Sequence, residues 1–357
     1  LSLPFKNDSE LYIAALSYFG LVPAALIGAD LDRLLMRASQ AVESSGPDVP
    51  SLENPGLWLG VIMAEASLAG KDKLTLLISD RIGSFGYWLE QLIAESTGKE
   101  GKGIIPIESE PPGDPENYAR DRLVVYLRLD DEGTYDFFVG GLEKSGHPVV
   151  TLRLHTPYDL GREIFRWEFA TAVAGAILRI NPFDQPNVQE SKDLTKKLLH
   201  LYNQEGEIPP GERTQIDDPD LPTKLKEFLG QARPGDYVGL NAFVNPTSVN
   251  RDVLQEVRAV FKDKLKVATT LGFGPRYLHS TGQFHKGGPD EGLFVQVTTD
   301  DPEDIGIPDE LYSIGVLKSS QSLGDYEALK RRGRRILRVH VPSEADLPKL
   351  LDAAKAM

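Results

Sequence analysis

The chain has no cysteine among its 357 residues, which removes disulfides, thiolate metal ligands and cysteine nucleophiles at once. Long apolar runs are missing too. Nothing approaches the ~18 consecutive apolar residues of a membrane span, and no secretory signal is recognisable. Positive charge is scarce: 39 Lys and Arg stand against 53 Asp and Glu, a formal net charge of −14. That balance argues against a nucleic-acid backbone or an anionic membrane surface as partner, but leaves room for a local basic pocket for a small phosphorylated ligand. The absent cysteines and absent signal fit a cytoplasmic protein. The first residue is Leu1, so the chain is expected to be a fragment, a processed product or the ordered part of a longer protein.

What is present reads as a globular α/β protein, 41% apolar and 26% charged. Its length favours two domains. The run from Tyr18, "YFGLVPAALIGADLDRLLMRAS", predicts a helix that Pro23 kinks or restarts. Asn54-Pro55 opens a second helix that closes near Gly70. "KLTLLIS", "GIIPIE", "RLVVYLRL" and "HPVVTLRL" predict strands, alternating with helices at "FGYWLEQLIAESTG", "YDFFVGGLEKSG" and "DLGREIFRWEFATAVAGAILRI". Such alternation predicts a mostly parallel sheet covered by helices. Residues 204–222 are acidic and proline-rich without apolar period and read as a linker, separating residues 1–203 from a second α/β domain at 223–357. There, strands at "YVGLNAFV", "KVATTLGFG", "LFVQVTT" and "ILRVHV" alternate with helices, and a glycine-rich loop follows the second of them.

Two segments carry chemistry. Trp88, Leu92 and Glu95 fall on one helical face, so Glu95 is a carboxylate at the end of an apolar stripe. Desolvation and the negative end of the helix dipole both raise a carboxyl pKa there, which suits a general base working near neutrality. Gly98 fits the left-handed position that ends such a helix. The following "GKEGKG" does not match a Walker A loop. On a second helix, begun near Pro186, Val188, Lys192, Thr195 and Leu199 share a face, which aims Lys192 toward the core and calls for an anionic partner or a shifted pKa.

The segments "LSYFGLVPAALIGADL", "EQLIAESTGKEGKGIIP" and "LGREIFRWEFATAVAGAILRINPFDQPNVQESK" resemble glucose-6-phosphate isomerase, more narrowly the isomerase half of bifunctional transaldolase/glucose-6-phosphate isomerase proteins. The tail, "GFGPRYLHSTGQFHKGGPDEGLFVQV", resembles the C-terminal region of that fused form. Gln185 and Lys192 reproduce the family's Phe-Asp-Gln run with a lysine seven residues on, although Asn187 and Gln189 stand where Gly and Glu are usual. The resemblance implies a sugar-isomerase (SIS-like, flavodoxin-like) three-layer αβα domain followed by the second α/β domain. It also implies interconversion of glucose 6-phosphate and fructose 6-phosphate through a cis-enediol, with no cofactor and no metal. Glu95 matches the base that moves a proton between C2 and C1. Lys192 matches the lysine near the ring oxygen, and Gln185 a substrate contact; Gly98 and Lys99, directly after the base, join the substrate-binding set. A homodimer, a preceding first isomerase domain and a fused transaldolase are the implied partners.

Some family features have no match. The Gly-Gly-Arg-aromatic-Ser motif, whose arginine stabilises the enediolate, does not occur in "NDSELYIAALSYFG", and the serine- and threonine-rich phosphate loop of an upstream domain is absent. His147 and His155 lack the setting of the family's catalytic histidine. His279 and His285, around Gly282-Gln283, are the candidate replacements, with Arg276 and Lys286 as candidate phosphate ligands. His200 and His340 are expected to be structural. The competing expectation is a non-catalytic sugar-phosphate-binding module of the same fold. A dinucleotide site at Gly272-x-Gly274 is disfavoured because no third glycine follows at the required place.

Overall fold

The computed structural model describes residues 15–357, and Val188 by its backbone only. Residues 7–14, where the arginine motif was sought, lie outside the described residues. Packing divides the chain into two units. The first holds the residues up to Ser109 and Arg120–Gln185; the second holds Glu110–Ala119 and Pro186–Met357.

In the first unit, the segment expected to kink or restart at Pro23 forms two helices, α1 (Tyr18–Leu26) and α2 (Leu31–Ser44). Pro23 lies inside α1; the break comes later, where Gly28 adopts φ 85° and the Asp30 side chain accepts from the Arg33 N–H at 3.1 Å. Helix α3 (Pro55–Leu68) starts as expected, capped by Asn54 with Pro55 in its first turn. Strands β1 (Lys73–Ile78), β2 (Ile105–Ile107), β3 (Arg122–Leu129) and β4 (Val149–Leu154) form a parallel sheet in the order β2-β1-β3-β4. Leu74, Leu76, Val125 and Leu127 point to one face and form a core with α3, helix α4 (Phe85–Thr97) and helix α6 (Leu160–Leu178). Tyr126 points to the other face, where its hydroxyl bonds Asp136 of helix α5 (Asp136–Lys144) at 3.2 Å. The unit is therefore three-layered.

The second unit has strands β5 (Thr214–Gln215), β6 (Tyr237–Phe243), β7 (Ala268–Phe273), β8 (Gly292–Thr299) and β9 (Arg335–Val341). All pair in parallel, in the order β5-β9-β8-β6-β7. One face is apolar: Val238, Leu240, Val295, Val297 and Val339 pack against helices α8 (Leu221–Leu229), α9 (Ser248–Leu265) and α12 (Pro348–Ala356). The alternate residues, Asn241, Gln296, Thr298, Arg338 and His340, are buried and polar. They face the side where Gln296 and Arg338 bond Ser322 of helix α11 (Ile314–Arg331).

Three expectations need correction. Helix α7 (Val188–Glu205) packs with the second unit, Ser191 and Thr195 lying against Gly324 of α11, so the boundary falls at Gln185/Pro186 and not at 203. Residues 204–222 are not a linker: they hold β5, and Ile216 and Leu221 are buried in the second core. Two isolated apolar residues among prolines and acids gave no period to read. The glycine-rich segment after β7 is likewise not a loop but a 3-10 turn (Arg276–His279) and helix α10 (Thr281–Gly287), whose residues are all buried.

Candidate active site

Glu95 stands in the last turn of α4 and is only 3% exposed, because Leu89, Leu92 and Ile93 of the same helix enter the first core. Gln91, one turn earlier, donates from Nε2 to Glu95 Oε2 at 3.2 Å. The helix does not close on a left-handed glycine. Gly98 has φ −76°, and the positive φ values come at Glu100 (57°) and Gly101 (71°), the pair that a type I′ turn requires. Lys99 and Lys102 exchange backbone hydrogen bonds across that turn at 3.2 and 3.0 Å. Thr97 ties the loop down, donating to the Ile93 carbonyl at 2.7 Å and accepting from the Ile104 N–H at 3.0 Å.

The turn sends both lysines to the end of α6. Lys102 Nζ donates to the Leu178 carbonyl at 3.1 Å. Lys99 Nζ, buried, donates to the Asn181 carbonyl at 2.7 Å and to Asp184 Oδ1 at 3.0 Å. Desolvation lowers the Lys99 pKa, opposed by the nearby charges of Asp184 and Glu95. Lys99 thus acts as a strut between the end of α4 and the "NPFDQ" turn, and brings the segment that ends in Gln185 to the neighbourhood of Glu95. Because α4 runs from the end of β1 back to the start of β2, this cluster lies at the strands' N-terminal edge. Ligands of open α/β sheets ordinarily bind at the carboxyl edge.

The other expected residues belong to the second unit. Lys192 is exposed on α7; the helix buries Ser191 and Leu194 instead, one position off the face expected from the sequence. Arg276 and His279 are exposed on the turn after β7. The Asn187 N–H donates to Gln283 Oε1 at 3.1 Å, which draws the start of α7 toward α10. Although the residue is exposed, partial desolvation of the ring comes first, and then the charges of Lys192 and Lys286, in lowering the His279 pKa. His285 and Lys286 point inward. His285 packs on Phe294 at 4.6 Å between ring centroids, with neither ring nitrogen bonded among the described residues, and burial pushes its pKa well down. Lys286 Nζ pairs with Asp325 at 2.6 Å, and Tyr277 donates to the same carboxylate at 2.6 Å. Burial and prior pairing make both side chains parts of the interior in this structure rather than ligands reaching a substrate.

One residue was overlooked in the sequence. Glu168 is half-buried on α6, its Oε1 lacks a partner among the described residues, and burial raises its pKa to about 8. The available signal is an acid beyond the first turn of the helix, directly beside Trp167 and Phe169. Among the described residues no three His, Asp or Glu side chains meet at metal-binding spacing, and no helix is long and apolar enough to cross a membrane.

No family model matches the chain. It is 29% identical over 228 residues to the glucose-6-phosphate isomerase of Levilactobacillus brevis, covering 52% of this chain and 50% of that protein. Against the enzyme of Symbiobacterium thermophilum it is 28% identical over 227 residues (52% and 50%). Against that of Rubrobacter xylanophilus it is 27% identical over 223 residues (51% and 51%). Its sequence relatives are glucose-6-phosphate isomerases. The chain spans about half the length of the curated relatives it matches. Solved structures align broadly but with low scores: the C-terminal domain of glucosamine-fructose-6-phosphate aminotransferase from Francisella tularensis gives a TM-score of 0.27 at 10% identity, covering 91% of this chain and 92% of that one.

Proposed function

We propose that the chain is part of an aldose–ketose isomerase that interconverts glucose 6-phosphate and fructose 6-phosphate, with Glu95 as the proton carrier. The observation that carries this reading is the position of Glu95: a buried carboxylate, hydrogen-bonded by Gln91, at the end of a helix whose exit loop is locked by the type I′ turn and Lys99. A rigidly held carboxylate in a water-poor setting is what proton abstraction from carbon requires. In the proposed step Glu95 takes the C2 proton as the carbonyl oxygen at C1 acquires one. The resulting cis-enediol then receives the proton from Glu95 at C1 while the C2 hydroxyl gives up its proton and becomes the ketone carbonyl. Gln185 binds the substrate, and Gly98 and Lys99 shape the same wall. Lys192, with Arg276 and His279, belongs to the proposal as the polar group that attends ring opening and the phosphate. A fused transaldolase, a preceding isomerase domain, a homodimeric assembly and a cytoplasmic location complete this reading, on the strength of the sequence resemblance.

The test is an isomerase assay on the chain and on Glu95→Gln. The mutant is expected to lose about 10²–10⁴-fold in kcat, the range of a removed general base, with its circular dichroism unchanged. The burial of His285 and the prior pairing of Lys286 favour a second reading, a sugar-phosphate-binding module without turnover. Sugar-phosphate binding without isomerisation by the wild-type chain would decide for it.

A further inference from the structure

The second unit contains a cavity of about 430 Å³ that none of the expected site residues lines. Its place follows from the strand order. Sequence neighbours β6 and β7 pair on one side and β8 pairs on the other, so the chain reverses direction across the sheet between β6 and β8. In an open α/β sheet the crevice outside the carboxyl ends of such a strand pair is the usual ligand site. Phe243, the last residue of β6, and Thr298 and Thr299, the last of β8, line this cavity, and the Thr299 hydroxyl donates to the Phe243 carbonyl at 3.3 Å.

The walls carry two arginines that no ion pair engages among the described residues. Arg338 is 7% exposed and its Nε has no hydrogen-bond partner among the described residues; its other nitrogens bond the Pro210 carbonyl at 2.7 Å and the Ser322 hydroxyl at 3.4 Å, both neutral. Arg213, exposed at the rim, forms no ion pair among the described residues. Arg213 is near enough to lower the Arg338 pKa, which desolvation first and then that charge bring to about 10 against the opposing pull of Tyr326 and Glu327, and Arg213 lowers that of His340 as well. A desolvated guanidinium facing a second cation is costly unless an anion joins them. The acids in the wall are already engaged: Lys318 pairs with Asp301, the first turn of α11 and Ser313 hold Asp304, and His340 Nε2 lies 3.5 Å from Asp300.

We propose that this cavity binds a small phosphate monoester, with Arg338 and Arg213 holding the phosphate. Two guanidiniums without a carboxylate between them balance a dianion better than a monocarboxylate, and Arg matches phosphate geometry with paired donors. The Thr298, Ser319 and Ser322 hydroxyls suit the hydroxyl groups of a polyol. The site is independent of Glu95 and of the isomerase reading.

Isothermal titration calorimetry of the whole chain with fructose 6-phosphate, inorganic phosphate, fructose and acetate tests it, using the wild type, Arg213→Gln, Arg338→Gln and Glu95→Gln. Because Arg213 is exposed, its variant keeps the test valid if Arg338→Gln fails to fold. The expected result is saturable binding of fructose 6-phosphate and phosphate, not of fructose or acetate. That binding should weaken about tenfold or more in Arg213→Gln, the loss of one charged hydrogen bond, and should persist in Glu95→Gln. The proposal is overturned if no phosphate compound binds, if acetate binds as well as phosphate, or if Arg213→Gln leaves every affinity unchanged. Binding that disappears in Glu95→Gln alone also overturns it, since it would then belong to the other unit.

Discussion

At the scale of single residues, burial assigns roles that residue type alone does not. His285 and His279 sit six positions apart in one glycine-rich segment, yet one is a core ring tilted against Phe294 and the other is exposed. Since the His285 pKa lies well below 6.5, the unfolded chain takes up a proton below that pH that the folded chain refuses. Stability is therefore lost as pH falls from about 6.5, by up to ~1.4 kcal/mol per pH unit for this residue. His285→Phe should remove that dependence and two orphaned nitrogens; thermal melts at pH 5 and 7.5 are expected to differ less in the variant than in the wild type. Glu168 works in the opposite direction. With a native value of about 8 it keeps its proton where the unfolded chain has lost it, so its contribution weakens as pH rises from about 4.5 through 8. Glu168→Gln should raise the melting temperature at pH 8 and leave it nearly unchanged at pH 4; an unchanged melt at pH 8 would contradict this assignment.

At the scale of elements, most of the helices and strands could be read in the sequence because their apolar periods are strong, as in β1 and α3. Capping was readable where a side chain announces it, as Asn54 does before Pro55. The misreadings have a common cause: packing chose between faces of similar polarity. On α7 the sequence offered Lys192 and Leu199 on one face and Ser191 and Leu194 on another. The helix settles with Ser191 and Thr195 against Gly324 of α11 and with Leu194 buried, and Lys192 is left in solvent. In the second sheet, Asn241, Gln296 and Arg338 interrupt otherwise apolar strands and mark its polar inner face, a signal that was there to be read. Close helix packing has its own signature in glycine. A Cβ on Gly161 of α6 would stand 2.1 Å from the Leu34 carbonyl oxygen of α2, a backbone atom that cannot move aside alone. Gly161→Ala should cost about 1–3 kcal/mol by overpacking, read as a lower urea midpoint, whereas Gly140→Ala, with open space around it, should leave the midpoint unchanged or higher.

At the scale of the whole molecule, the chain passes from the first unit to the second, back, and over again, and this was not legible from composition. Residues 110–119 belong to the second unit: Glu110 accepts from the Thr269 N–H and hydroxyl, each at 2.8 Å, and Lys262 is held beside Tyr118. A polypeptide of residues 186–357 should consequently be less stable than the same unit in the full chain. Addition of a peptide of residues 110–119 should restore part of the loss in denaturant titrations; equal stability with and without it would contradict this account. The candidate site divides in the same way, Glu95, Lys99 and Gln185 standing in one unit, Lys192 and His279 in the other. The central claim concerns the first group, and isotope exchange tests it most directly. In D₂O, the chain should move deuterium into the C2 position of glucose 6-phosphate as it equilibrates with fructose 6-phosphate, and Glu95→Gln should abolish that exchange while remaining folded. Exchange that continues undiminished in Glu95→Gln, or none above buffer with the wild type, would contradict the assignment of Glu95 as the proton carrier.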